Sequence, residues 1–186
     1  MSKAIADTGP ILHLHEIGYL QAIRVFESLF IPDLVADEIR LYGLELIHLG
    51  VTNLTVAVTS IEEALWKPFV NVTGRPTIHP ADAQVLALAQ SQQFALPVLT
   101  DDLDLRRCLE DRGAIVVGSV GVLVRAYSKG YLTRTDLENA VEALFAKHLA
   151  YESCFCCLCS QTFGRVIAWK LGDESHCTAH ESHPNL

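Results

Sequence analysis

The sequence predicts an α/β fold in which helices cover both faces of a central, mainly parallel sheet, giving a three-layer α/β/α sandwich. Short apolar runs alternate with segments in which apolar residues recur at helical spacing. The apolar runs are nearly continuous, as in strands that are buried on both faces. Acidic residues directly follow two of these runs, and the carboxyl ends of parallel strands are where such folds form their sites.

Each element in the first half has a local signal. The first apolar run stops at Asp7, Gly18 divides the helical pattern that follows, and Pro32 suits the start of a helix. Threonines alternate with apolar residues in the next run, which indicates a strand. The expected elements are a strand at 3–6, a divided helix at 11–30, a strand at 29–31, a helix opening at 32, a strand at 51–58, a helical turn at 61–66 and a loop at 68–76.

The second half shows clearer boundaries. Pro80 and Asp82 mark a helix start, and Gly113 and Gly130 suit positions just after helix ends. The expected elements are a helix at 79–94, a strand at 96–100, a helix at 102–113, a strand at 114–118, a helix at 120–130 and a helix at 133–149 that is capped by Thr133 or Thr135 with Asp136 or Glu138.

Composition limits the class of protein. The chain has 186 residues, half of them hydrophobic, which is enough for a real core. The net charge of −8 argues against a simple basic nucleic-acid binder, because phosphate contacts need Lys and Arg. An enzyme that acts on nucleic acid through metal ions remains compatible with this charge, since metal-binding carboxylates contribute to it.

Neither a signal peptide nor a membrane span is expected. The amino-terminal residues lack a continuous apolar region, and no run of about 18 apolar residues occurs. A cytoplasmic protein is the simplest interpretation. Its six cysteines are not spaced as a disulfide framework, because Cys108 stands alone and the others lie between Cys154 and Cys177.

Acidic residues in four separate contexts form the candidate site. Asp7 follows one strand, Glu38 lies on the second helix, Asp82 starts a helix, and Asp102 follows another strand. Mg²⁺ and Mn²⁺ prefer such oxygen ligands and activate water for phosphodiester chemistry. Alone, Asp82 is equally explained by the helix dipole and Glu38 by solvation on a helix face. The hypothesis therefore rests on the set.

The segments "ADTGPILHLHEIGYLQAI", "IPDLVADEI", "PADAQVLALA" and "VLTDDLDLRRCLEDRGAIVVGSVGVLVRAYSKG" resemble the PIN domain family, particularly VapC-type toxins and their uncharacterised relatives. The resemblance runs from about Ile5 to about Leu149. It implies an α/β/α sandwich and a Mg²⁺- or Mn²⁺-dependent nuclease, mostly acting on RNA. It also implies a homodimer, and in toxin–antitoxin pairs an antitoxin protein as partner.

By this resemblance, catalysis falls to Asp7, Glu38, Asp82 and Asp102. Asp7, Asp82 and Asp102 would bind metal directly or through water, with Asp101 and Asp104 close enough to assist. Glu38 would orient or activate the attacking water, and Thr8 and Thr100 would support the site. A Gly-Glu-Ala-Glu stretch of the nearest relatives reads Ala81-Asp82-Ala83-Gln84 here, and the lost second acid is expected to weaken metal affinity.

Basic residues near the acidic end are candidates for RNA contact, above all Arg106 and Arg107, because a nuclease needs cations for phosphate. The favoured alternative is that they pair with Asp104, Glu110 or Asp111 at helical spacing. His13 and His15 are expected in a surface or boundary role, since residues two apart point to different helix faces.

Two domains are expected: a PIN-like nuclease domain at 1–150 and a Cys/His-rich extension at 151–186, the latter a terminal helix with a disordered tail. Interleaved C-x-x-C pairs and the i,i+4 spacing of His176 and His180 admit a structural Zn²⁺. The competing interpretation is a terminal helix that buries its cysteines as small hydrophobic groups.

The leading functional hypothesis is a metal-dependent endoribonuclease. The alternative is a PIN-like binding protein with weak or no catalysis that acts through a protein partner. A phospho-acceptor domain also gathers acids at strand ends, but Asp7 comes too early for its paired acidic start and no lysine follows a later strand. A zinc-dependent interaction module built on the tail is a fourth option.

Overall fold

Five parallel strands form one sheet, in the order β3-β2-β1-β4-β5. The structure, a computed structural model, describes residues 3–46, 54–70 and 78–149. Its strands are β1 (Lys3–Ala6), β2 (Ser28–Pro32), β3 (Thr55–Thr59), β4 (Val98–Leu99) and β5 (Val116–Val117). All the pairings are parallel. The predicted α/β class is therefore confirmed.

Helices flank the sheet. They are α1 (Thr8–Glu16), α2 (Asp33–Leu41), α3 (Glu63–Val70), α4 (Pro80–Ser91), α5 (Leu103–Glu110), α6 (Ser119–Ser128) and α7 (Arg134–Leu144), with a 3₁₀ helix at Leu20–Val25 and a π-helical turn at Phe145–Leu149. Gly18, at φ +79°, separates α1 from the 3₁₀ helix, so the expected division at this glycine is confirmed. Thr133, and not Thr135, caps α7, in a reciprocal arrangement with Asp136.

The prediction between β3 and α4 was wrong in one respect. A helical turn at 61–66 followed by a loop from Pro68 was expected, but α3 continues through Pro68 to Val70. Trp66, Phe69 and Val70 pack against the core at helical spacing. Their burial favours the helix beyond a proline that lies only two residues from its end. Residues 71–76 of the expected loop, and 51–53 of the expected strand, lie outside the described residues.

The central position belongs to β1, which pairs with β2 on one side and with β4 on the other. Ala6 is in register with Leu99, so the residues after these strands, Asp7 and Thr100, leave the sheet side by side. This arrangement brings two segments that are far apart in sequence to one edge of the sheet.

The described elements up to Phe145 belong to one compact unit. Of a second unit, Ala146–Leu186, only residues 146–149 are described, so the expected terminal helix, disordered tail and zinc ligands lie outside the described residues. The expected division at residue 150 stays a prediction. No helix in the described part of the chain has both the length and the hydropathy that a membrane crossing requires.

Candidate active site

Asp7 follows β1 directly and caps the amino end of α1. Its Oδ1 accepts a hydrogen bond from the Thr8 main-chain N–H at 2.7 Å, and its Oδ2 accepts one from the Thr100 hydroxyl at 2.7 Å. Only 5% of the residue is exposed. Burial, together with the charges of Asp82 and Glu38, raises the pKa of Asp7 to about 7 in spite of these hydrogen bonds.

Asp82 lies in the first turn of α4 and is half-buried. Burial raises its pKa to about 6, and the carboxylates of Asp102 and Glu38 add to the rise. Asp7 is coupled to Asp82 and Glu38 in the same way. These four acids, from four separate elements, therefore form one group of mutually repelling charges, which we name the carboxyl cluster: Asp7, Glu38, Asp82 and Asp102.

Thr100 links two members of this cluster through one buried hydroxyl. The hydroxyl donates to Asp7 and accepts the main-chain N–H of Asp102 at 3.1 Å. Asp102 is exposed and caps α5, with its Oδ1 accepting the Leu105 N–H at 2.6 Å. Thr100 thus sets the position of Asp102 relative to Asp7, and the cap orients the Asp102 carboxylate.

Glu38 reaches the cluster from α2. The Thr8 hydroxyl donates to its Oε2 at 2.7 Å, and Nδ1 of His79 lies 3.2 Å from its Oε1. His79 immediately precedes α4, three residues before Asp82. Thr8 and His79 therefore connect α2 to the starts of α1 and α4, the two helices that carry Asp7 and Asp82.

Asp101 and Asp104, both expected to assist in metal binding, have other partners. The Asp101 carboxylate accepts from the His13 ring at 2.8 Å and from the Ser119 hydroxyl at 2.5 Å and N–H at 2.8 Å. Burial works to raise the pKa of Asp101, but these hydrogen bonds outweigh it and hold the pKa below its usual value. Asp104 lies on α5, 3.4 Å from the Arg107 guanidinium.

The two arginines after β4 form the pairs that helical spacing suggests. Arg107 is exposed and pairs with Asp104, whereas Arg106 pairs with Glu110 at 3.4 Å. Arg106 also donates to the main-chain oxygen of Thr100 at 3.2 Å, so it braces the turn that leads to the cluster. Contact of either arginine with RNA stays a prediction.

Gln84, where the nearest relatives are expected to carry a second acid, is a buried polar residue, with 2% exposed. Its Oε1 accepts the main-chain N–H of Leu34, in the first turn of α2, at 3.0 Å. This bond ties α4, which carries Asp82, to the amino end of α2, which carries Glu38. An uncharged acceptor performs this function without adding charge to the cluster.

Three residues at this edge were missed from the sequence as parts of the site. His79 could have been found from "HPAD", since it precedes a helix whose first turn carries an acid. His13 was expected in a surface or boundary role, and its contact with Asp101, 88 residues away in the sequence, was not foreseen. Ser119 starts α6 directly after β5, and only the tertiary structure pairs it with Asp101.

The oxygen atoms of the carboxyl cluster are the type of ligand that a hard divalent cation prefers. They are all carboxylate oxygens. Burial, followed by the charges of neighbouring carboxylates, raises the pKa values of Asp7 and Asp82. Among the described residues, no lysine or arginine forms an ion pair with either of them. As positioned, however, no three His, Cys, Asp or Glu side chains in residues 3–46, 54–70 and 78–149 are grouped closely enough to hold one metal ion. A bound cation would offset the repulsion among these carboxylates.

A family model matches most of the chain. The family model DUF3368, whose description is "PIN domain", matches residues 3–156, which include every element described above. No curated protein and no solved structure matches the chain.

Proposed function

Because the chain belongs to the PIN domain family, we propose that it is an endoribonuclease that depends on Mg²⁺ or Mn²⁺. PIN domains are generally nucleases, which supports hydrolysis of phosphodiester bonds as the broad class of reaction. The observation that carries the finer proposal is the carboxyl cluster. Four acids from separate elements meet at one edge of the sheet, although their mutual repulsion costs stability.

Asp7, Asp82 and Asp102 would hold the metal ions, directly or through water. A bound divalent cation supplies a site that polarises the phosphate and favours ionisation of water. Asp7 presents a carboxyl fixed on both oxygens, and the half-buried Asp82 faces it from α4. Asp102 completes the set from the exposed side.

Glu38 orients the attacking water and accepts its proton. The Thr8 hydroxyl holds one oxygen of this carboxylate, and the other oxygen lies next to His79. These contacts keep Glu38 beside Asp7 and Asp82. Thr8 and Thr100 support the site by fixing Glu38 and Asp7.

RNA is the proposed substrate, with Arg106 and Arg107 as candidate phosphate contacts. Both guanidinium groups lie on α5, the helix that Asp102 caps. The resemblance to VapC-type toxins extends the proposal to a cytoplasmic toxin that forms a homodimer and is restrained by an antitoxin. In that arrangement the antitoxin would cover the acidic edge or a groove beside it.

A second candidate is a PIN-like binding protein that acts through a protein partner. It is favoured by the finding that, among the described residues, the acids are not grouped closely enough to hold a metal ion. In that protein the carboxyl cluster would be a remnant of a nuclease site. Metal binding distinguishes the two candidates directly.

The test is cleavage of a mixed RNA pool by the purified protein in Mg²⁺, in Mn²⁺ and in EDTA. Asp7→Asn is the inactivating variant, because it removes a charge and keeps the shape of the side chain. Asp37→Asn is the matched control, since it removes an exposed acid that pairs with Arg40 on the same helix as Glu38. Circular dichroism verifies that each variant is folded.

Cleavage that needs the metal and Asp7, and that survives Asp37→Asn, supports the nuclease. Full activity in Asp7→Asn would remove Asp7 from the mechanism. A folded protein that neither cleaves RNA nor binds Mn²⁺ would favour the binding protein.

A further inference from the structure

The hydrogen bonds of Asp101 differ from those of the carboxyl cluster. Both of its oxygens accept bonds from side chains or main chain of other elements: Oδ2 from His13 and Ser119, and Oδ1 from the Ser119 N–H. These partners lie on α1 and at the start of α6. One side chain therefore joins two helices to the turn that follows β4.

The start of α6 packs closely against this carboxylate. A Cβ atom on Gly118 would lie 2.7 Å from Oδ1 of Asp101 and 3.1 Å from Nη2 of Arg106. Real Cβ atoms do not approach an oxygen to 2.7 Å, so residue 118 must lack a side chain for the carboxylate to lie against the start of α6. The glycine therefore lets Asp101 reach its partners on α6.

The connection from Asp101 to the candidate metal ligands is short. Asp7 caps α1, so the position of α1 sets the position of Asp7, and the bond from His13 ties α1 to the turn after β4. Asp102 is the next residue in that turn, and Thr100, the preceding one, bonds to Asp7. Movement of Asp101 would change the spacing between Asp7 and Asp102.

We propose that Asp101, held by His13 and Ser119, is a positioning residue that fixes the spacing of Asp7 and Asp102 and does not itself bind metal. We name these three residues the Asp101 clamp. This inference rests on the proposed metal-dependent function, and it assigns Asp101 a role different from the one that its sequence position suggests. Residues that orient metal ligands typically change metal affinity by about 10- to 100-fold when they are replaced.

The test is the affinity for Mn²⁺, measured by electron paramagnetic resonance of free Mn²⁺ during titration of the folded protein. His13→Ala and Ser119→Ala are the decisive variants, because neither removes a carboxylate. Each is expected to raise the Kd for Mn²⁺ by about 10-fold with binding stoichiometry unchanged. Glu138→Gln, which removes an exposed acid on α7, is the control for loss of one negative charge and is expected to leave the Kd unchanged.

A double-mutant cycle separates the positioning role from a ligand role. Asp101→Asn keeps the shape of the side chain but replaces the oxygen that accepts from His13 and Ser119. If Asp101 acts through the clamp, Asp101→Asn with His13→Ala raises the Kd no further than Asp101→Asn alone. If Asp101 binds Mn²⁺ itself, Asp101→Asn raises the Kd, whereas His13→Ala and Ser119→Ala alone leave it nearly unchanged. That result would overturn the proposal.

Amide hydrogen exchange of the metal-free protein tests the clamp independently of metal binding. The Asp102 and Thr8 amides are hydrogen-bonded to Thr100 and Asp7. Their exchange is expected to accelerate at least about 10-fold in Asp101→Asn, with the amides of α7 unchanged. Unchanged exchange would overturn the clamp. The two proposals can also fail separately. If the wild-type protein binds no Mn²⁺ but Asp101→Asn still accelerates exchange, the clamp is supported and the proposed nuclease is contradicted.

Discussion

Asp7 and Asp136 have nearly the same hydrogen bonds and opposite pKa shifts. Each lies at the start of a helix, and each accepts one bond from a threonine hydroxyl and one from a main-chain N–H. The hydrogen bonds from Thr133 hold the pKa of the exposed Asp136 below its usual value. Burial and the charges of Asp82 and Glu38 raise the pKa of Asp7 to about 7.

Hydrogen bonds alone are therefore not enough to stabilise the ionised form of an aspartate. Asp136 strengthens its helix as a charged group, because water and Thr133 both stabilise the charge. Asp7 has equivalent bonds but is buried among other carboxylates, so ionisation costs the folded protein stability. A residue that reduces stability in this way, at an edge where four acids meet, is better explained by function than by folding.

The largest expected effect comes from removing the charge at Asp7. We expect Asp7→Asn to stabilise the metal-free protein at pH 8 by about 2–4 kcal/mol, because each unit of the raised pKa corresponds to about 1.4 kcal/mol and the amide loses part of the bond to Thr100. Urea denaturation measures the change. Asp136→Asn should instead destabilise the protein slightly. A destabilised Asp7→Asn would mean that the charge at Asp7 is compensated.

The pH dependence of stability should show the same contrast. The folded pKa of Asp7, about 7, exceeds the ordinary value of 3.8, so its contribution to stability is complete below about pH 4 and is lost as the pH rises through 7. Asp82 contributes in the same direction, through about pH 6. Asp136 acts in the opposite sense, and its contribution is lost on acidification.

Denaturation at several pH values in EDTA tests this expectation. The free energy of unfolding of the metal-free protein should fall between about pH 4 and 7. In Asp7→Asn, more than half of this fall should disappear. Saturating Mn²⁺ should restore stability at neutral pH, because it binds the ionised acids. Stability that is independent of pH in EDTA would contradict the raised pKa values.

Gln84 extends the comparison to an uncharged buried group. We expect Gln84→Leu to lower the free energy of unfolding by about 1–1.5 kcal/mol, because the Leu34 N–H loses one of its two acceptors and keeps only Asp33 Oδ1. RNA cleavage should fall as well, since this bond relates the helices of Asp82 and Glu38. Denaturation and initial rates measure the two effects. Gln92→Leu, at an exposed position just after α4, is the control. A Gln84→Leu variant with unchanged rates would limit Gln84 to stability.

The smallest effect belongs to the exposed cap of α7. Thr133→Ala should lower the free energy of unfolding by about 1 kcal/mol, the usual cost of losing a helix N-cap. RNA cleavage and the affinity for Mn²⁺ should stay unchanged, because α7 carries no member of the carboxyl cluster. A change in metal affinity in this variant would show that the two regions are coupled.

Much of the fold could be predicted because local signals agreed with the tertiary structure. Gly18 and Pro32 lie where elements begin or end, and the apolar residues of β1 and β4 favour burial in the sheet. The helix through Pro68 could not be predicted in this way. Its local signal indicates a stop, and only the packing of Trp66 and Phe69 on the core outweighs it.

The candidate site could be predicted in part. Strand ends and the family resemblance indicated that Asp7, Glu38, Asp82 and Asp102 belong together, and the electrostatic coupling in the structure places them together. The partners of Asp101 depend on the positions of α1 and α6, which no local pattern encodes. Residue spacing within α1 could not predict that His13 contacts Asp101, which lies 88 positions away in the sequence.

The central position of β1 has a consequence for the order of events during synthesis. The ribosome adds Asp7 well before its partner Thr100, which follows 93 residues later. At about 5–20 residues per second, this interval lasts roughly 5–20 s. Throughout it, the middle strand of the sheet lacks one neighbour, and the acid at its end lacks its hydroxyl partner. A nascent chain therefore carries the first residue of the carboxyl cluster several seconds before the cluster can assemble, so the topology itself sets the earliest moment of its assembly.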